Sequence, residues 1–105
     1  MEHSKILHFT QDIDYAREGI VSKRIVEKAT GNVSLFAFDK GQKLSEHSAP
    51  FDAMIQVLEG QAEITINKAP FKLNAGETII MPANIPHAVL ALEQFKMLLT
   101  MIKGE

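Results

Sequence analysis

Cysteine is absent from this 105-residue chain, and so is tryptophan. Without a thiol there is no disulfide, no thiolate metal site and no cysteine nucleophile, which fits a cytoplasmic protein. An excess of positive charge is missing too. Eleven basic side chains stand against thirteen acidic ones, for a formal charge of −2. No basic stripe is there to neutralise phosphates, so nucleic acid is not an expected partner. No apolar run approaches the length of a membrane span, and the opening MEHSKILHFTQD has no hydrophobic region of the signal-peptide kind. A membrane is therefore not expected either. No serine stands in a GxSxG elbow, and no glycine-rich loop is shaped to cradle phosphate.

What is present is a run of short strands. Apolar residues make up 46% of the chain and charged residues 23%, which at this length predicts one globular domain, residues 1–105, with one core. Residues 12–18 read as a helical turn or a short N-terminal arm ahead of Gly19. Runs follow at 20–27, 32–39, 42–48, 52–58, 61–66, 71–73, 78–81, 88–92 and 95–102, punctuated by four glycines (Gly31, Gly41, Gly60, Gly76) and four prolines (Pro50, Pro70, Pro82, Pro86). In QAEITI, Ala62, Ile64 and Ile66 alternate with Glu63 and Thr65, the mark of a half-buried strand. Asn67-Lys68 then offers a tight hairpin turn. Short, evenly spaced strands with no long amphipathic helix predict an all-β sandwich or barrel.

Two spacings narrow this further. Gly41 is followed after five residues by His47, and thirteen positions later by Gly60; Gly76 is followed after five residues by Pro82, then Asn84 and His87. Together they resemble the paired motifs of the cupin family, with a short stretch of fifteen residues between them. The resemblance implies a small jelly-roll β-barrel with its conserved part at roughly 31–102. Such barrels are often dimeric and usually hold a divalent metal in the lumen.

The departures from the motifs bear on function. Three histidines and a glutamate bind the metal in complete members of the family. Here His47 and His87 occupy the first and last histidine positions, but the second is Ala49 and the glutamate position is Ala53. The inner glycine of the second motif is Asn84, a mild change because asparagine tolerates a left-handed backbone, and its closing asparagine is Ala91. A firmly held zinc or iron normally has three or more protein ligands. Asp52 and Gln56 are the candidates to replace the lost ones, although strand alternation puts Ala53, Ile55 and Val57 on one face and Asp52, Met54 and Gln56 on the other. Ser45, two residues before His47, shares the histidine's face if the strand is regular. It would then serve a histidine that is simply hydrogen-bonded. Met54, Met81, Met97 and Met101 read as core or interface residues more readily than as pocket walls. His3 and His8 belong to a terminal arm.

The leading expectation is a small-molecule-binding cupin with a lumen pocket around His47 and His87, holding a weakly coordinated divalent metal (Zn, Fe, Mn or Ni) or none. The alternatives are a metal-dependent oxygenase, isomerase or decarboxylase acting on a small organic or sugar-like substrate, and a non-catalytic sensor or structural dimer module. A homodimer is expected because Phe95–Ile102 is apolar on both faces and Ile6, Leu7 and Phe9 form a further apolar edge.

Overall fold

The structure, a computed structural model, describes residues 3–103. Nine strands form: β1 (Ile20–Lys28), β2 (Gly31–Phe38), β3 (Lys43–His47), β4 (Asp52–Glu59), β5 (Gln61–Ile66), β6 (Ala69–Asn74), β7 (Thr78–Met81), β8 (His87–Ala91) and β9 (Phe95–Ile102). They make two antiparallel sheets, one in the order β1-β2-β9-β4-β7 and the other in the order β3-β8-β5-β6. Packed face to face, the sheets enclose a lumen, which makes the domain a small all-β jelly-roll barrel. No helix forms among the described residues, so none is long and apolar enough to cross a membrane.

Turn chemistry agrees with the sequence. Asn67 and Lys68 both take positive φ (49° and 68°), the two-residue turn whose twist matches a right-handed hairpin. Residues 12–18 are an irregular arm rather than a helix. The arm ends in a turn in which Gly19 N donates to Ala16 O at 3.0 Å. Asp39 holds that turn by accepting the Glu18 N–H at 2.7 Å.

Alternation divides the residues of the larger sheet between two cores. Phe38, Ile55, Val57, Ile64, Phe95 and Met97 face the lumen and are fully buried, with Phe38 and Phe95 stacked at 4.6 Å. On the outer face of the larger sheet, Ile25, Leu35 and Ala37 are buried beneath Ile13, with Leu7, Phe9, Tyr15 and Leu98 packed against them. The N-terminal segment thus covers the outer face as a strap instead of forming an apolar edge, and only Ile6 of the three expected edge residues stays exposed. A polar latch fastens it. Tyr15 donates to Glu59 Oε2 at 2.6 Å, and Lys96 Nζ, from a residue only 7% exposed, donates to Thr10 O while lying 4.9 Å over the Tyr15 ring. Burial, then the hydrogen bond to Glu59, holds the phenol well above its ordinary pKa.

Candidate functional site

His47 and His87 lie directly opposite each other where β3 pairs with β8. Their meeting depends on an irregularity. Leu44 pairs with Val89 and His47 with His87, so β3 carries one residue more than β8 across this stretch. That bulge puts Leu44 and His47 on the cavity side, His47 at its exposed edge, and leaves Ser45 and Glu46 outside, a common use of bulges near sites. On the other strand, the loop before β8 is set by Asn84, whose φ of 66° is the left-handed conformation the motif assigns to glycine. Asn84 N donates to Ala49 O at 2.7 Å, tying the two loops of the site together.

The rings meet at Nε2, 3.2 Å apart, with centroids 4.4 Å apart and planes at 71°. Each Nδ1 faces the carbonyl oxygen two residues upstream, Ser45 O at 2.7 Å for His47 and Ile85 O at 3.3 Å for His87. A carbonyl can only accept, so each Nδ1 carries a hydrogen. In the neutral rings both Nε2 atoms are then bare lone pairs pointed at each other, an arrangement that calls for a cation between them, either one shared proton or a metal ion. Burial, then the charge of His47, holds the His87 pKa below the ordinary imidazole value. His87 therefore resists protonation.

These nitrogens open on a lumen cavity of about 60 Å³, enough for a few waters or the leading atoms of a ligand. Ala49 and Ala53, at the positions of the missing ligands, line it together with Leu44, Ile55, Met81, Val89, Met97, Leu99 and Met101. The other sequence candidates lie elsewhere. Ser45 is on the outer surface, and only its carbonyl serves His47. No bulge re-aims the start of β4: Asp52 is exposed and accepts the Ala83 N–H at 2.8 Å, and Gln56 shares its outward face. His3 and His8 are exposed in the arm. Met81, Met97 and Met101 are the residues the sequence undervalued, being both core and cavity wall.

A metal fits this arrangement in part. Two nitrogens on one ion at about 2.0–2.1 Å, at right-angle to tetrahedral spacing, lie roughly 2.8–3.4 Å apart, and the observed 3.2 Å falls in that range. An Nδ1–H bonded to a backbone carbonyl is also the usual support of a ligating imidazole. A third ligand of the usual kind is missing: among the described residues no three of His, Cys, Asp or Glu converge.

A family model described as Cupin domain matches residues 34–103. The protein is a cupin. A conserved protein of unknown function from Streptococcus pyogenes is 42% identical to it, with a TM-score of 0.94 over 100% of this cupin and 92% of that chain. A cupin 2 conserved barrel domain protein from Leptotrichia buccalis is 40% identical, with a TM-score of 0.86 over 90% of this cupin and 46% of that chain. A salicylate 1,2-dioxygenase from Pseudaminobacter salicylatoxidans shares the fold alone, at 20% identity and a TM-score of 0.75 over 80% of this cupin and 26% of that chain. No curated protein matches this cupin.

Proposed function

We propose that this cupin binds a small molecule in its lumen, docking the ligand's polar end on a transition-metal ion held by His47 and His87. The supporting observation is the pair of Nε2 atoms 3.2 Å apart, buried His87 against exposed His47, at the edge of an otherwise apolar cavity. When bound, the metal supplies a Lewis-acid point for a ligand oxygen or nitrogen. The chain supplies the rest: two backbone carbonyls orient the rings, and the aliphatic and thioether walls exclude water from the ligand's body. A ligand with one donor group on a compact apolar frame suits these walls.

The test is elemental analysis of untagged protein prepared without chelators, followed by zinc titration at two pH values. Ligation needs both imidazoles neutral, so protons compete with the metal. Affinity is expected to fall about tenfold or more between pH 7.5 and 5.5. His47→Ala or His87→Ala is expected to abolish binding, and zinc affinity indifferent to both substitutions would refute the proposal. The metal-free protein should also lose stability as the pH falls below about 6.5. There the unfolded chain takes up a proton that the native His87, with its depressed pKa, still resists.

We also propose that two copies pair through the half of the larger sheet that the strap leaves bare. Ile80 and Ile102, 61% and 60% exposed, lie there beside Met54 and Thr100. The strap partly covers Leu98 but not the end of β9, so the face expected to pair is smaller than the sequence implied. Light scattering should give twice the chain mass of 11.7 kDa at micromolar concentration, and Ile80→Lys should return it to the single value.

A further inference from the structure

We infer that the lumen site is built for a soft monovalent metal ion, copper(I), with the thioethers of Met81 and Met101 as sulfur donors beside His47 and His87. This rests on the proposed metal role of the two histidines and names the ion and the remaining ligands.

The register carries the inference. Ala53 stands where the first motif has its glutamate. Across the sheet it pairs with Met81 of β7 on one side and with Met101 of β9 on the other. All three line the same cavity as His47 and His87. The carboxylate has thus become a methyl group flanked on both sides by thioethers. Methionine is unbranched and polarisable, so either sulfur can lean over an alanine without a backbone shift.

The cavity wall offers no other donor. Its side-chain heteroatoms are the two imidazoles and the sulfurs of Met81, Met97 and Met101, with no carboxylate, hydroxyl or amide among them. Imidazole with thioether suits copper(I), whereas manganese, magnesium and calcium call for oxygen. Charge points the same way. Every available ligand is neutral, so no protein charge compensates the ion, which would sit between exposed His47 and the apolar cavity wall. Because the Born cost grows with the square of the charge, a divalent ion meets roughly four times the penalty of a monovalent one. With no cysteine in the chain, thioethers are its only soft donors.

The experiment is an anaerobic titration of the full untagged chain with copper(I) against bicinchoninate, read in parallel by NMR of methyl-labelled methionines. One copper(I) per chain is expected, with the Met81 and Met101 methyl resonances shifting. Met54, on the opposite face of β4, should stay in place. Met81→Leu combined with Met101→Leu conserves volume and is expected to weaken copper(I) binding at least tenfold while zinc affinity is unchanged. Should the double variant not fold, the methyl shifts of the unaltered protein decide. Copper(I) binding that leaves both resonances unmoved, or copper(I) affinity unaltered in the double variant, overturns the inference. In either case zinc bound through the imidazoles would leave the histidine metal site standing. If neither zinc nor copper(I) binds, both fall.

Discussion

Gly60→Ala is expected to cost about 2–5 kcal/mol, a large part of the stability of a domain this size. Gly60 makes the turn from β4 into β5 at a φ of +82°, and an added Cβ would lie 1.9 Å from Gln94 O and 2.7 Å from the Phe95 Cα. Those atoms are backbone at the start of β9, beside a ring that is 0% exposed and stacked on Phe38. Relief therefore means moving a core strand. Gly41 and Gly76 serve as controls, since their φ values are +85° and +89° but an added Cβ would have nothing within 4 Å. Alanine at either should cost only the left-handed backbone, about 1–2 kcal/mol. Urea unfolding of the three variants measures the difference, and equal losses at all three would show that the contact with β9 does not matter.

Restoring the two missing ligands is expected to produce the largest change in metal binding. Ala49 and Ala53 both face the cavity that holds the His47 and His87 nitrogens, so Ala49→His with Ala53→Glu would place four donors around one point. Losing even a supporting hydrogen bond at a metal site costs 10–100-fold in affinity, and two direct ligands should add more than about 100-fold for zinc. Without metal, the same variant should be less stable than the parent by roughly 1–3 kcal/mol, because a carboxylate and a further imidazole are then desolvated against an apolar wall with no ion to compensate them. The signature is a melting temperature below the parent's in chelator and above it in zinc. A variant that melts alike in both would show that positions 49 and 53 do not reach the ion.

Strand positions were legible because turn residues bound short apolar runs, several of which alternate regularly. Ala53, Ile55 and Val57 face inward as the sequence implied, and Asn84 takes the left-handed backbone that its motif position requires. Three things were hidden, each for a physical reason. The bulge in β3 that puts Ser45 outside adds one residue without a marker such as glycine or proline. The flanking of Ala53 by Met81 and Met101 depends on pairing between strands 28 and 48 positions away from it in sequence. The strap over Leu35 and Ala37 looked like an edge strand because Ile6, Leu7 and Phe9 are apolar in either role; long-range contacts such as the Tyr15–Glu59 and Lys96–Thr10 bonds, 44 and 86 residues apart, distinguish the two.

The place of β9 between β2 and β4 also governs the order in which the domain can assemble. The β1-β2 and β5-β6 hairpins can close early from neighbouring residues. The larger sheet exists only as two separate pieces until Phe95–Ile102 has been synthesised and inserted between them, pairing on both sides at once. Such long loop closures put folding in the slow class, of order milliseconds to seconds. While a nascent chain waits, the pairing edges of β2 and β4 stand open to any other extended segment. A ribosome-bound chain ending before Phe95 should therefore depend on chaperones, and a free peptide spanning β9 should compete for the gap.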